Sequence, residues 1–91
     1  LVDNLRELIL EYALKYRRED KIEMAKNLIL RCADIGNSRA MFHVGYALWS
    51  NGGWGLNHDE KSGVEWMRKS AQLGNGAGMA FYVFFLLRGL G

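Results

Sequence analysis

The chain has 91 residues, a size that supports one small domain with a modest core. Its 12 basic and 10 acidic residues are interspersed and leave a net charge of +2, which excludes the concentrated basic face of a nucleic-acid-binding protein. A single cysteine excludes an internal disulfide and favours a reducing compartment such as the cytoplasm. The most apolar run, residues 77–87, is shorter than the roughly 20 residues that a membrane-spanning helix needs. Because the chain begins at Leu1, we expect a segment of a longer protein or a processed chain.

Two amphipathic helices are predicted in the first part of the chain. The first spans about residues 3–16, where apolar side chains recur at helical spacing. These are Leu5, Leu8, Ile9, Tyr12 and Tyr16. The second should begin after Asp20, which has the spacing of a capping box with Glu23. Its apolar stripe consists of Ala25, Leu28, Ile29, Cys32 and Ala33. It should end at Gly36, because glycine adopts the left-handed C-cap conformation without a Cβ clash.

The third predicted helix and the loop after it form the middle of the chain. Asn37 or Ser38 should cap this helix, which spans about residues 39–50. The loop, residues 51–57, is rich in glycine and must turn tightly. The loop glycines expected at positive φ are Gly53 and Gly55.

A fourth helix is predicted over about residues 59–73. Asn57 and Glu60 form a second capping pair, and Asp59 is expected to cap the helix or to tie the loop to it. The predicted buried side consists of Val64, Trp66, Met67 and Ala71. Gly74 should end this helix as Gly36 ends the second.

The fifth predicted helix, residues 77–87, is apolar on nearly all sides, which is typical of a helix covered on both faces. Its large apolar residues are Met79, Phe81, Tyr82, Val83, Phe84, Phe85, Leu86 and Leu87. Part of the cover should come from a helix that follows Gly91 in the parent chain, from a second copy or from a partner. We therefore expect self-association through this helix, with Phe84 and Leu87 as its main contacts.

The chain repeats itself with a period of 38 residues. The segment 31–40 (RCADIGNSRA) returns as 69–78 (KSAQLGNGAG), and each copy lies between an amphipathic and an aromatic-rich stretch. A period of this size is typical of a helical repeat array, which presents an extended binding surface. The units are residues 1–37, 38–75 and 76–91, or about two and a half repeats.

The middle unit contains a specific pattern of small, aromatic and loop residues. The matching positions are Ala40, Val44, Gly45 and Leu48, then the run 53–59, then Lys61, Val64, Trp66, Lys69, Ala71 and Gly74. This pattern resembles the Sel-one-like repeat, a relative of the tetratricopeptide repeat. It departs from the family by two extra loop residues before Gly53, and by Leu48, Gly63 and Ser70 where tyrosine or alanine is usual. The preceding unit is degenerate in its loop, and the following unit is half present.

The resemblance implies an all-α fold, a right-handed α/α superhelix (solenoid) of helix-turn-helix repeats that binds a protein partner on its concave face. The first helix of each pair would line that face and place residues one period apart in rows. One expected row is Glu7, His43 and Phe81, and the next is Leu10, Tyr46 and Phe84. Tyr46 and Trp49 fall outside the family's core positions, whereas Phe42 is expected in the core. The predicted partner-binding residues are His43, Tyr46, Trp49, Phe81, Phe84 and Leu87.

Other chemistry has little support in the sequence. His43, His58 and Cys32 lie on three separate elements, without the spacing of a metal site. Glu60 replaces the glycine that a phosphate-binding loop needs before its lysine, and no motif for a catalytic triad is present. We expect no enzyme activity, cofactor or metal, and no binding of nucleic acid. Two alternatives stay open: a regulatory or assembly domain of a larger enzyme whose active site lies outside this chain, and a standalone metal or ligand binder.

Overall fold

The computed structural model describes residues 2–90, with side chains from residue 4 onward, and this part of the chain forms five α-helices and no strand. They are α1 (Val2–Arg18), α2 (Ile22–Asp34), α3 (Ser38–Ser50), α4 (Glu60–Gln72) and α5 (Gly76–Leu87). The prediction of an all-α fold is confirmed. Within residues 2–90, none of the helices has the length and apolarity needed to cross a membrane.

Each helix packs on the next one along the chain, and the contact between α3 and α4 is the most extensive. A smaller contact joins α3 directly to α5. The radius of gyration is 12.6 Å. This order of packing is compatible with stacked helix pairs.

Two asparagines one period apart cap the helices that begin the second and third units. Asn37 accepts a hydrogen bond from the Ala40 N–H at 2.9 Å, and Asn75 accepts one from the Gly78 N–H at 2.8 Å. Each asparagine follows a glycine in the left-handed region, with φ of +99° at Gly36 and +84° at Gly74. The predicted cap at Asn37 and both predicted glycine ends are therefore confirmed.

The predicted capping box at the start of α2 is wrong. Asp20 lies in the preceding turn with φ of +62°, and Lys21 donates its N–H to the carbonyl oxygen of Tyr16 at 2.9 Å. This turn places Lys21 at the cap position, where its side chain cannot accept a hydrogen bond. Glu23 instead lies 3.6 Å from the ammonium group of Lys26.

The predicted pair of Asn57 and Glu60 does not cap α4, because Asp59 is the cap residue. Its carboxylate accepts hydrogen bonds from the N–H and the hydroxyl of Ser62, at 3.2 and 2.7 Å. Its own N–H donates to the carbonyl oxygen of Leu48 at 3.0 Å, which fixes the end of the loop against α3. The expectation that Asp59 caps the helix and ties it to the loop is confirmed.

The core has two parts, which α3 joins. The larger part lies among α1, α2, α3 and the loop after α3. It consists of Leu10, Ala13, Ala25, Ile29, Cys32, Ala33, Ala40, Met41, Val44, Ala47 and Trp54. The smaller part consists of Val64, Met67 and Phe85, with Phe42, Trp49, Phe81 and Phe84 packed against it. Phe42 thus contacts the core, as predicted.

Two predicted apolar stripes differ from the observed buried faces. In α1, Leu10 and Ala13 are fully buried, whereas the predicted Leu5, Leu8 and Tyr12 are exposed. The buried face of α1 is therefore rotated relative to the predicted stripe, of which Ile9 and Tyr16 still pack against the core. In α4, Val64 and Met67 are buried as predicted, but Trp66 and Ala71 are half-buried. Ser70 is fully buried instead, because its hydroxyl donates to the carbonyl oxygen of Ser38 at 2.8 Å.

Backbone contact between glycines brings α3 and α4 close together. A Cβ at Gly63 would lie 2.8 Å from both the carbonyl oxygen of Gly45 and the backbone nitrogen of Trp49. Real Cβ atoms do not approach other atoms so closely, so only glycine fits at residue 63. The same argument applies at Gly78, where a Cβ would overlap Ser70 of α4.

Replacing Gly63 with alanine should lower the free energy of unfolding by about 2 kcal/mol, because the added methyl group overlaps the backbone of α3. Gly76→Ala is the matched control, since a Cβ at this helical glycine meets no atom of the described structure within 4 Å. Urea unfolding followed by circular dichroism measures both variants. Equal stability of Gly63→Ala and the wild type would contradict the backbone contact.

Candidate partner-binding surface

Aromatic side chains of α3 and α5 meet along one side of the molecule. The ring centroid of Phe81 lies 5.5 Å from that of Tyr46, 5.7 Å from Phe42 and 6.2 Å from Trp49. Further along α5, the Phe84 centroid lies 6.1 Å from Trp49. All four pairs are tilted or edge-on, the arrangements that the ring quadrupole favours. We call the whole set, with two rings near the following loop, the aromatic surface: Phe42, His43, Tyr46, Trp49, Trp54, Phe81 and Phe84.

An apolar groove of about 290 Å³ lies on the aromatic surface between the two helices. It is lined by Trp49, Ala80, Phe81 and Phe84. Trp49 and Phe84 also contact the fully buried Phe85, with ring centroids 5.3 and 5.8 Å apart. These two side chains therefore stabilise the fold on one side and line the groove on the other.

A second depression, of about 250 Å³, lies where the surface meets the loop after α3. Its lining includes Arg17, His43, Tyr46 and Trp54. The guanidinium of Arg17 lies 4.7 Å from the Trp54 ring centroid, and the His43 ring lies 5.6 Å from the same indole. The C-terminal end of α1 is thus linked to the loop through Trp54.

The position of Trp54 depends on three consecutive residues in the left-handed region. Gly53, Trp54 and Gly55 have φ of +103°, +57° and +68°. This conformation is costly for tryptophan, and it persists because the side chain is buried in the larger part of the core. The two predicted positive φ angles in the loop are confirmed. At Gly55 a Cβ would also lie 2.8 Å from the Cγ2 of Ile22.

Tyr46 lies at the centre of the aromatic surface and is its most solvent-accessible member. Its side chain contacts the rings of Phe42, Trp49 and Phe81, yet the residue is 42% exposed. The other members are half-buried or, for Trp54, buried. An exposed tyrosine surrounded by half-buried rings has the composition of an interaction hot spot.

Five of the six residues predicted to bind a partner lie on this surface. Tyr46, Trp49, Phe81 and Phe84 form direct ring contacts, and His43 joins them at the edge through Phe42, 5.8 Å away. The sixth, Leu87, is 83% exposed and is not part of the aromatic surface.

The predicted rows do not extend to α1. Leu10 was expected beside Tyr46 on an open face, but it is fully buried, so that expectation is wrong. Glu7 accepts hydrogen bonds from Asn37 at 3.1 Å and from Arg39 at 2.5 Å, and thereby ties α1 to the start of α3.

Two arginines on this surface were missed from the sequence. Arg17 reaches Trp54 from another helix, and no local pattern indicates that contact. Arg88 lies with its guanidinium 4.7 Å from the Phe84 ring centroid. Here the spacing of four residues along a helix is a signal that side chains contact each other.

Positive charge borders the surface, and its lining, as far as the structure describes it, is free of acidic groups. Among the described residues that line the groove and the depression, none is acidic. Burial lowers the pKa of His43 below its usual 6.5, and the charges of Arg17 and Arg39 lower it further. The imidazole is therefore neutral at physiological pH, which leaves the guanidinium of Arg17 as the charge at this end.

A separate apolar groove of about 440 Å³ lies between α1 and α2. It is lined by Ile9, Tyr12, Tyr16, Met24, Asn27 and Leu28. Its lining contains no charged residue within the described part of the chain. The groove between α1 and α2 could therefore contact apolar groups of a partner, but its described lining has no charged side chain that would select among partners.

The remaining candidate ligands do not assemble into a site within residues 4–90, where no group of three or more His, Cys, Asp or Glu side chains is placed to hold a metal ion. The buried Cys32 thiol donates to the carbonyl oxygen of Arg6 at 3.3 Å. Burial and the nearby Glu7 carboxylate raise its pKa to about 11, so it is a protonated, unreactive thiol at neutral pH.

Comparisons of the chain with protein-family profiles, with curated proteins and with solved structures found no match. Its class is therefore defined by the fold and the surface alone: a small all-α domain with an aromatic surface between two of its helices.

The lowered pKa of His43 predicts a loss of stability in mild acid. The unfolded chain binds a proton near pH 6.5 more readily than the folded chain, so the free energy of unfolding should fall as the pH drops below about 6.5. His43→Gln should reduce this fall between pH 7.5 and pH 5.5, whereas His58→Gln, which retains His43, should keep it. Urea unfolding at both pH values measures the difference. An unchanged pH dependence in His43→Gln would show that His43 titrates freely in the folded state.

Proposed function

We propose that the chain is a protein-interaction module of the Sel-one-like type, with no catalytic role of its own. In this proposal it is a segment of a right-handed α/α superhelix with about two and a half repeats. The aromatic surface belongs to the face that binds an extended segment of a partner protein.

The repeated caps support the assignment of repeats. Asn37 and Asn75 lie one period apart, and the side chain of each accepts a hydrogen bond from the N–H three residues later. Each also follows a glycine with positive φ. The contact of α2 with α3 likewise recurs as the contact of α4 with α5. The proposed units are residues 1–37, 38–75 and 76–91, of which Leu1 and Gly91 lie outside the described residues.

The observation that supports binding most strongly is the exposure of Tyr46 among rings from two helices. Tyrosine and tryptophan are the side chains most often found as interface anchors, because they bury a large apolar area with few rotatable bonds. The groove on one side of Tyr46 and the depression on the other provide room for side chains of a bound segment.

Self-association through α5 stays a prediction. Its outward face has apolar side chains that are about half exposed or more: Met79, Val83, Leu86 and Leu87. Leu87 is free for such a contact. Phe84, the second expected contact, packs partly within the chain against Trp49 and Phe85.

Tyr46→Ala should weaken the binding of a partner identified by affinity capture by about 2 kcal/mol, or roughly 30-fold in Kd, while the fold stays intact. Trp49→Ala should weaken binding as well, but it should also destabilise the fold because Trp49 contacts Phe85. Tyr12→Ala is the matched control, since Tyr12 is 47% exposed and lies in the groove between α1 and α2. Titration calorimetry with the purified partner measures all three variants.

Loss of affinity in Tyr12→Ala but not in Tyr46→Ala would assign binding to the groove between α1 and α2. Unfolding of Tyr46→Ala with unchanged affinity per folded molecule would show that Tyr46 is a core residue, and either result contradicts the proposal.

A further inference from the structure

The two ends of the aromatic surface each have an arginine stacked on a ring. At one end the Arg17 guanidinium lies 4.7 Å from the Trp54 centroid, and at the other the Arg88 guanidinium lies 4.7 Å from the Phe84 centroid. A guanidinium that stacks through its face keeps the N–H groups on its edge free to donate hydrogen bonds. The ends of the surface therefore present hydrogen-bond donors as well as charge.

Within the described part of the chain, these two arginines have no acidic partner. Elsewhere in the chain, Arg39 pairs with Glu7 and Arg68 with Glu65. Among the side chains that the structure describes, no carboxylate forms an ion pair with Arg17 or Arg88. Both residues are exposed, so a carboxylate from outside can reach them.

Between the two arginines the rings form a continuous path. The steps run from Arg17 through Trp54, His43, Phe42, Phe81 and Phe84 to Arg88. The steps add up to about 33 Å, so the two guanidinium groups lie at most that far apart, which is the reach of roughly ten residues of extended chain. An occupant should thus be apolar in its centre and negatively charged towards both ends.

We propose that the partner segment is an acidic–apolar–acidic peptide, and this inference rests on the proposed function of the surface. One carboxylate pairs with Arg17, and a second, up to about ten residues away, pairs with Arg88. Apolar or aromatic side chains between them occupy the groove beside Phe81 and the depression beside Tyr46. Paired charges at both ends fix the register of the segment, while the rings supply the apolar contact area.

A single strand of nucleic acid would also stack on aromatic rings, but it needs positive charge along its whole backbone. Here the two cations lie at the ends only, and the groove between α3 and α5 is lined by apolar residues. The distribution of charge therefore favours a peptide.

The test is selection of a random 12-residue peptide library, displayed on phage, against the immobilised wild-type chain. Enriched sequences should contain two acidic residues, up to about ten positions apart, on either side of at least one aromatic or aliphatic residue. A synthetic peptide of the enriched sequence should bind the Arg17→Gln/Arg88→Gln double variant at least 10-fold more weakly than the wild type. Lys69→Gln is the matched control and should bind normally, because Lys69 stacks on Trp66 outside the aromatic surface.

The outcomes separate this inference from the proposed function. Enrichment of neutral or basic peptides whose binding is lost in Tyr46→Ala would overturn the acidic specificity and leave the surface as a protein-binding site. No enrichment, or enrichment of peptides that bind Tyr46→Ala normally, would overturn both. Tighter binding of a 12-residue oligothymidylate than of any selected peptide would assign the surface to nucleic acid and also overturn both. Circular dichroism of each variant confirms that it is folded.

Discussion

The backbone contact of α3 with α4 at Gly45 and Gly63 is the constraint on which the rest of the structure depends. Close approach at this point allows Ser70 to reach the start of α3, where its hydroxyl donates to the carbonyl oxygen of Ser38. The other side of Ser70 contacts Gly78, so α5 begins directly against α4. A single helix thereby brings α5 beside α3, and the ring of Phe81 beside that of Tyr46. Small residues at these four positions thus determine where the large aromatic ones meet.

The aromatic surface combines stability and recognition in the same side chains. Trp49 and Phe84 pack on the buried Phe85, and these contacts restrict their rotamers before any partner binds. A rigid surface loses little conformational entropy on binding, which increases the affinity obtained from a given contact area. The strained loop contributes in the same way, because the left-handed backbone at Trp54 positions that ring under the guanidinium of Arg17. The cost of this strain is offset by burial of the indole.

The sequence alone was sufficient to predict helix ends, because these depend on neighbouring residues along the chain. Gly36, Gly74 and Asn37 were predicted correctly, because a helix end is determined by groups within four residues of it. The pattern failed at Asp20, where the spacing fits a capping box but the turn closed by Lys21 and Tyr16 begins the helix one residue later. Burial on α1 was predicted only in part: Ile9 and Tyr16 pack against the core, but Leu5, Leu8 and Tyr12 are exposed, because burial depends on the direction from which α2 and α3 approach. The contact of Arg17 with Trp54 depends on tertiary packing in the same way. The four-residue spacing of Phe84 and Arg88, in contrast, was available in the sequence.

The most direct test of the central claim, that α4 brings α5 beside α3 to form one aromatic surface, is a nuclear Overhauser experiment on the aromatic protons of the intact chain. Cross-peaks are expected from the ring of Phe81 to the rings of both Tyr46 and Trp49, whose centroids are 5.5 and 6.2 Å away. Chemical shifts that show all five helices, together with an absence of cross-peaks from Phe81 to any ring of α3, would contradict it.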